Sequence, residues 1–394
     1  MSKTYHFGTL LIVAILVALV SELPAAQPPG HAPVGEVTVL SRNLYYGADL
    51  SPLTDLPAPV DGGAFLEIMF TVESVFAEVI ASDYPARAAV FAQEIADTQP
   101  TLIGLQEVAT FTTQPFGPDL QPIGEETVEI DFLAVLLDEL AALDLHYEPV
   151  VIAPGTDAAM PGLFRYVRMI DHEVILARTD LPAANLKVSN PQWDVFTNAV
   201  VFETGGGEVH LLRSWAAIDG KVQGREFRLI TTHLNAEGDN IQLDQMIELL
   251  EGPANTDMPV VMIGDYNSAA GGVVDGPIWS WPVDAYELLL DEGFQDAWTI
   301  AHPEEDGFTA AQASFLDNDE SLAITRIDLV MIRDGNGSGA KKGQWHTHEV
   351  GLLGDKPQFI TESTLMYPDG SEFTFPIYWP SDHVGLFARL QLQP

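Results

Sequence analysis

The segment Met258–Asn267 places the tightest constraint on how this chain folds. Its apolar run from Val260 to Ile263 shows no alternation, which predicts a short strand buried on both faces, as in a layered α/β protein. The run ends in Gly264-Asp265-Tyr266-Asn267, so a carboxylate and a carboxamide two residues apart point to the same side. Two interpretations stay open here. An Asx turn closes the strand, or Asp265 steers a metal or a water while Asn267 stabilises a developing oxyanion.

Cysteine content and charge exclude several classes of protein. The 394 residues include no cysteine, so disulfides, thiolate nucleophiles and cysteine-zinc sites are excluded. Acidic residues number 57 against 17 Lys and Arg, for a net charge of −40, and such a field repels polyanions at long range. This argues against a dedicated DNA-binding protein. Nucleic acid remains possible as a substrate, because bound cations invert the local field.

The N-terminus resembles a targeting segment. Lys3 precedes the apolar run Phe7–Val20, which is shorter than a comfortable membrane span, and the small residues of Leu23-Pro24-Ala25-Ala26 supply a cleavage site. We therefore predict a signal peptide over residues 1–26, a spacer over 27–35, and a secreted or periplasmic protein. An uncleaved anchor is the alternative.

The rest of the chain, residues 36–394, is predicted to form one domain, because no linker, repeat or low-complexity tract divides it. Apolar periodicity predicts helices over residues 62–82, 84–99 and 128–143, separated by apolar strands. The Gly- and Pro-rich stretch 153–169 is predicted to be a loop.

Polar residues recur where apolar strands end. They are Asn43, Glu107, His233, Asp265, Asn267, Asp382 and His383. In layered α/β folds such strand ends carry sites, so their recurrence predicts one shared site. Asp328 differs, since it lies within an apolar strand, where an acid is costly unless it is paired. We expect it to have a partner.

The ordered set of motifs resembles the endonuclease/exonuclease/phosphatase superfamily. That set is Asn43, Leu105-Gln106-Glu107, Thr232-His233-Leu234, Gly264-Asp265-Tyr266-Asn267, Arg326-Ile327-Asp328 and Ser381-Asp382-His383, and it extends over residues 36 to 392. The superfamily includes deoxyribonuclease I, abasic-site endonucleases, inositol-polyphosphate phosphatases and neutral sphingomyelinases. The resemblance implies an α/β fold of four layers, in which two mixed β-sheets pack face to face with helices outside.

The resemblance also implies roles for the metal-site residues. Glu107 would be the principal ligand of Mg²⁺, or of Mn²⁺ or Ca²⁺, and Asn43 and Asp382 would complete its shell. The metal would neutralise the phosphate and stabilise the leaving oxygen.

By the same resemblance, the remaining residues would act on the phosphate and on water. His383, polarised by Asp328, would activate water or hold the phosphate, and Asp265 would orient or deprotonate the attacking water. Asn267 would donate to a phosphoryl oxygen. His233 would protonate or hydrogen-bond the departing oxygen.

The resulting functional prediction is a secreted, monomeric, Mg²⁺-dependent hydrolase that cleaves a phosphodiester. A phosphomonoesterase of the inositol-phosphate type and an extracellular nuclease are alternatives, and a non-catalytic binding protein is a remote one. Leu44-Tyr45-Tyr46 stands where abasic-site enzymes usually carry an acid, which speaks against DNA repair. A phospholipid substrate would require a membrane surface as partner. Phe373–Trp379 is a candidate for membrane contact, or equally an interior strand.

Overall fold

Two large β-sheets run through the protein, and the computed structural model describes residues 35–54, 62–204, 207–236, 240–271, 274–275 and 280–394. The predicted signal peptide, residues 1–26, and residues 27–34 of the spacer lie outside these described residues. The described residues from 35 onward belong to one compact unit.

Within the described ranges the helices are α1 (Ser51–Thr54), α2 (Gly62–Ala81), α3 (Tyr84–Thr98), α4 (Phe132–Ala142), α5 (Ile241–Glu251), α6 (Asp284–Asp291) and α7 (Ala297–Ala301), with one 3₁₀ turn at Gly339–Lys341. The strands of the first half are β1 (Glu36–Asn43), β2 (Leu102–Gln106), β3 (Thr110–Gln114), β4 (Thr127–Asp131), β5 (Tyr147–Pro161), β6 (Tyr166–Arg178), β7 (Lys187–Val195), β8 (Val200–Thr204), β9 (Gly207–Leu211) and β10 (Ser214–Val222). Those of the second half are β11 (Arg225–His233), β12 (Val260–Asp265), β13 (Val274–Asp275), β14 (Ser280–Trp281), β15 (Gln295–Asp296), β16 (Asp328–Arg333), β17 (Gly335–Asn336), β18 (Lys342–Leu353), β19 (Thr361–Met366), β20 (Glu372–Ile377) and β21 (Gly385–Gln393).

The first sheet has nine strands and the second has six. The first has the order β17-β18-β21-β1-β2-β6-β3-β4, with β5 paired to β6, and the second has the order β15-β16-β12-β11-β10-β7. Each sheet is mixed: β1 and β2 run parallel, as do β11 and β12, whereas β1 pairs antiparallel with β21 and β12 with β16.

Three apolar layers account for the stacking. One lies between the sheets, where Val39 and Leu386 of the first sheet share a core with Ile263 and Val330 of the second. On the outer face of the first sheet, α2, α3 and α4 cover residues such as Leu105. On the outer face of the second, α5 and α6 cover β12 and β16. The predicted α/β sandwich of four layers is confirmed.

The alternation along β12 shows why its sequence is apolar throughout. Val261 and Ile263 point into the layer between the sheets, whereas Val260 and Met262 point towards α5 and α6. A strand buried on both faces has no position that favours a polar residue before its end.

Close approach of the two sheets is fixed by a glycine next to the site. A Cβ added at Gly104 of β2 would lie 2.5 Å from Thr231 Oγ1 of β11. Gln106, on the same strand, donates from Nε2 to that hydroxyl at 2.9 Å. The strand ends that carry Glu107 and His233 are therefore held together across the sandwich.

Two predicted elements differ from the structure. The helix expected over residues 128–143 begins only at Phe132, because the Asp131 side chain caps it by accepting from Ala134 N, and residues 127–131 form an edge strand on β3. The loop expected over 153–169 is largely the extension of β5 and β6, which pair with each other from Tyr147 and Arg178 to Pro161 and Tyr166. Pairing between distant residues supplies the order that a Gly- and Pro-rich composition did not indicate.

The segment Phe373–Trp379 lies mostly in a two-stranded hairpin, β19 with β20, and its end is interior. Phe375, Ile377 and Trp379 are buried in a core with Tyr45, whereas Phe373 is 43 % exposed. Among the described residues, no helix has the length and apolar character that crossing a membrane requires.

Candidate functional site

Strand register brings the predicted site residues to one edge of the sandwich. In the first sheet Asn43 is the register partner of Gln106, the residue before Glu107. In the second sheet Asp265 is the partner of both His233 and Asp328. Because β1, β2, β11 and β12 all end at this edge, residues far apart in sequence meet there.

Asn43 links two carboxylates. Its Nδ2 donates to Glu107 Oε1 at 3.1 Å and to Asp265 Oδ2 at 3.2 Å, while its Oδ1 accepts from Tyr45 N at 2.9 Å. Glu107 Oε2 accepts from Tyr46 N at 2.9 Å. In this orientation the Asn43 amide holds the acids from opposite sheets by donating, and its oxygen is engaged with the backbone.

Backbone strain accompanies these contacts. Glu107 has a φ of 56°, Tyr45 a φ of 60° and Asn267 a φ of 47°. Left-handed conformations of residues other than glycine are costly, and they persist where the surroundings impose them, often at functional sites.

Asp265 and Asn267 form the turn that the sequence allowed. Asp265 Oδ1 accepts from Asn267 N at 2.9 Å, which is an Asx turn, and Asn267 Nδ2 donates to Leu234 O at 2.9 Å. Asp265 Oδ2 meanwhile faces the site. The two interpretations of Gly264-Asp265-Tyr266-Asn267 are thus compatible, since one carboxylate oxygen shapes the turn and the other faces its neighbours.

His383 and Asp328 form a buried pair, so the expected partner of Asp328 is confirmed. His383 Nδ1 donates to Asp328 Oδ2 at 2.8 Å, and His383 Nε2 lies 3.7 Å from Asp265 Oδ2. Burial lowers the pKa of His383, but Asp328, Asp265 and Asp382 outweigh this effect and raise it well above its usual value. The ring is therefore an imidazolium facing Asp265.

His233 has the opposite electrostatic environment. Arg213 Nη1 lies 3.0 Å from His233 Nδ1, and since a guanidinium can only donate, Nδ1 accepts and the ring proton lies on Nε2. That nitrogen is 3.4 Å from Asp265 Oδ2 and 3.2 Å from Asn267 Nδ2. Burial, Arg213 and His383 hold the pKa of His233 well below its usual value, so the ring is neutral.

Without a bound cation, three carboxyl groups of the site have raised pKa values. Burial and the neighbouring Asp382 raise the pKa of Glu107 to about 8, and burial raises the pKa of Asp265 to about 6. Burial also raises the pKa of Asp382 itself. Like charges gathered out of water favour the neutral form of each unless a cation is added.

A cation could be held at this edge in two places. In one place, Asp382 is near enough to Glu107 for its charge to raise the pKa of that carboxyl group. Within the described ranges, the side chains that meet as a group of three ligands are Asp265, Asp328 and His383, whose ligand atoms lie within 4.8 Å of one another.

Sequence reasoning missed a group of residues behind His233. Tyr46 OH donates to Asp171 Oδ2 at 2.8 Å, Arg213 Nη1 lies 3.6 Å from the same oxygen, and Glu173 Oε1 lies 3.9 Å from His233 Nδ1. Asp171 and Glu173 are buried on β6. The signal was available, because two acids at alternate positions of an apolar strand share one face, as argued for Asp328.

Comparisons with known proteins support the fold. No protein-family model matches the chain, and no curated protein matches it. Among solved structures, it is similar to an endonuclease/exonuclease/phosphatase family protein of Bacteroides thetaiotaomicron, with a TM-score of 0.50 and 16% identity over 90% of this chain and 97% of that one. A mannosyl-6-phosphatase of B. thetaiotaomicron has a TM-score of 0.50 and 16% identity over 90% of this chain and 99% of that one. A Bacteroides vulgatus endonuclease/exonuclease/phosphatase protein has a TM-score of 0.50 and 14% identity over 91% and 99%. The chain therefore has the fold of the endonuclease/exonuclease/phosphatase proteins.

Proposed function

We propose that this protein is a metal-dependent phosphoester hydrolase that cleaves a phosphodiester by in-line attack of water. One observation carries the proposal: three acids from separate strand ends, Glu107, Asp265 and Asp382, lie together beside the buried His383–Asp328 pair. Acids placed so closely are costly in a purely structural role. They are what a site for a cation and a phosphoryl group requires.

The residues present fit a hard divalent cation, which we propose to be Mg²⁺, with Mn²⁺ or Ca²⁺ as alternatives. Burial raises the pKa values of Glu107 and Asp382, with added contributions from Asp382 and Asp328 respectively, and a bound cation would favour the ionised form of both carboxyl groups. Glu107 and Asp382 would hold it, and Mg²⁺ bound by few carboxylates keeps several waters. The orientation of Asn43 favours an indirect part, in which its amide aligns Glu107. A bound cation would stabilise negative charge on the phosphoryl and leaving oxygens.

Asp265 is the group best placed to orient and deprotonate the attacking water. Its Oδ2 faces the site and is aligned by Asn43 Nδ2, and its raised pKa of about 6 gives it basicity near neutral pH. His383, as an imidazolium, would hold a phosphoryl oxygen through Nε2, while Asp328 fixes the ring through Nδ1. Asn267 would donate to a second phosphoryl oxygen.

His233 supports a narrower role than proton donation. A neutral ring with its proton on Nε2 can donate a hydrogen bond to an oxygen in the site, but its lowered pKa makes it a poor imidazolium acid. We therefore propose that it hydrogen-bonds the leaving or phosphoryl oxygen without transferring a proton.

The test is hydrolysis by the purified chain in Mg²⁺ and then in excess chelator. The panel comprises bis-nitrophenyl phosphate, nitrophenyl phosphate, plasmid DNA and sphingomyelin. Cleavage of a diester that chelator abolishes and Mg²⁺ restores is expected. If the folded, metal-saturated protein hydrolyses none of these substrates, the result would contradict the proposal and favour a binding protein.

A phosphomonoester is the second candidate substrate, because a protein of the same fold is described as a mannosyl-6-phosphatase. Faster cleavage of nitrophenyl phosphate than of its diester would favour it. Extracellular nucleic acid is a third candidate, which the net charge of −40 disfavours. Cleavage of plasmid DNA that falls steeply with added salt would favour that candidate.

We further propose that the protein is exported as a monomer, with residues 1–26 removed and residues 36–394 forming the enzyme domain. N-terminal sequencing of the protein recovered outside the cytoplasm tests the cleavage, and light scattering tests the monomer. A full-length N-terminus on exported protein would favour the uncleaved anchor.

A further inference from the structure

Arg87 occupies an unusual position for an arginine. It lies on the buried face of α3, beside Tyr84, Ala88 and Phe91, and has no exposed surface. A guanidinium is expensive to bury unless each of its five N–H groups finds an acceptor.

All five N–H groups do so. Nη1 donates to Leu44 O at 2.8 Å and to Pro380 O at 2.8 Å, while Nη2 donates to Tyr45 O at 3.2 Å and to Ser82 Oγ at 3.2 Å. Nε donates to Ser82 O at 3.1 Å. Among the described residues, the acceptors of Arg87 include no carboxylate, so its bonds join backbone segments rather than neutralise an acid.

The segments that Arg87 joins carry one proposed cation ligand, Asp382, and the amide of Asn43 that aligns the other, Glu107. Leu44 and Tyr45 directly follow Asn43, and Pro380 precedes Ser381-Asp382-His383. Ser381 Oγ donates to Asn43 O at 2.9 Å, which adds a direct bond between the two segments. The fixed fork of the guanidinium sets the distance between these backbones, because one nitrogen, Nη1, bonds both of them.

We propose that Arg87 is a positioning residue for the cation site, which holds the segments after Asn43 and before Asp382 at the separation that binding requires. The inference rests on the proposed function, because it assigns the cation to Glu107 and Asp382. Lysine cannot replace Arg87, since an ammonium is a single point donor without the planar fork.

The test compares Arg87→Lys with Arg333→Lys in the full chain. Arg333 is a matched control, because it also donates to backbone carbonyls, those of Ala254 and Thr256, at the end of the β12–β16 ladder opposite the site. Isothermal titration calorimetry with Mn²⁺ is expected to show that the affinity for Mn²⁺ is about tenfold weaker in Arg87→Lys and unchanged in Arg333→Lys. At saturating Mn²⁺, kcat should recover most of its wild-type value.

Hydrogen exchange supplies a readout that needs no metal. Amides of residues 44–46 and 381–383 should exchange faster in Arg87→Lys without metal, whereas Arg333→Lys should affect residues near 254–256 instead. If Arg87→Lys does not fold, Ser82→Ala removes one acceptor of Arg87 and should shift the same amides less.

The outcomes separate the two proposals. Wild-type Mn²⁺ affinity together with unchanged exchange at residues 44–46 and 381–383 in the folded variant would overturn the role of Arg87 and leave the hydrolase proposal intact. If the wild type binds no Mn²⁺ and hydrolyses nothing, the proposed function fails. Exchange then decides separately whether Arg87 holds the two segments.

Discussion

Two clusters of charge, one beside each sheet, differ in how their charge is balanced. In the first, Asp296 accepts from Arg326 Nη1 at 2.7 Å, from Trp298 N at 2.9 Å and from Thr299 Oγ1 at 2.9 Å. In the second, Glu107 and Asp382 have no direct partner of opposite charge among their described hydrogen bonds, and burial together with the charge of Asp382 raises the pKa of Glu107 to about 8.

The difference teaches how to tell a structural cluster from a functional one. A buried acid that serves structure is paired and hydrogen-bonded within the fold, because breaking such a pair costs more than forming it contributes. An excess of buried acid is tolerated where a ligand outside the chain completes it. This criterion favours a structural role for the Asp296 cluster and supports the proposed functional role of the Glu107 cluster.

The largest expected effect on activity comes from changing the His383–Asp328 pair. Asp328→Asn should lower kcat on the order of 10³–10⁴-fold, because the variant loses the charge that orients His383 and keeps it protonated. Steady-state kinetics on the preferred ester, with thermal unfolding as a control for folding, measures it. A decrease in kcat of less than tenfold would show that the His383–Asp328 pair has no part in the mechanism.

Substitutions in the Asp296 cluster should instead change the free energy of unfolding. Arg326→Met leaves Asp296 buried without its cation and should lower the free energy of unfolding by about 3–5 kcal/mol. The double variant Arg326→Met/Asp296→Leu should lose less, because no unpaired charge remains. Denaturant unfolding measures both, and an equal or larger loss in the double variant would show that the pair itself is stabilising.

A substitution in the Glu107 cluster should instead lower activity, and its effect on stability should depend on pH. Glu107→Gln should lower kcat/KM on the order of 10²-fold or more, since it removes a proposed ligand. Its stability effect follows from the pKa, which rises from the usual 4.5 to about 8 on folding. The folded state then holds the extra proton between these values, so the contribution of Glu107 is full below pH 4.5 and is lost as pH rises through 8.

Glutamine cannot lose that proton. In chelator, the melting temperature of Glu107→Gln relative to wild type should therefore rise between pH 5 and pH 8, as differential scanning fluorimetry would detect. If the difference in melting temperature between Glu107→Gln and wild type stays constant or decreases over this pH range, the charge of Glu107 is compensated by other groups of the protein.

The smallest expected effect concerns His233. Because the ring is neutral and donates through Nε2, His233→Gln should lower kcat about tenfold, and by similar factors for alkyl and activated aryl esters. Parallel kinetics on the two leaving groups measures the ratio. A much larger loss on the alkyl ester would restore His233 as a proton donor.

Much of the fold could be predicted from sequence, and the reason lies in local pattern. The unbroken apolar run of β12 and the helical periodicity of α3 are each explained by burial within one element. The extended hairpin of β5 and β6 could not be predicted, because its order comes from pairing between strands whose composition favours a loop. The start of α4 was misplaced for the same reason, since residues 127–131 pair with β3.

The sequence alone determined which side chains end their strands at the site edge, because polar residues after buried strands, such as Glu107 and Asp265, stand out against an apolar pattern. It also determined that Asp328 needs a partner. Only the tertiary structure decided that this partner is His383, that Asn43 turns its amide nitrogen towards the acids, and that Arg87 joins two segments of the site. These outcomes depend on hydrogen bonds between residues distant in sequence, whose geometry is set by how the two sheets pack.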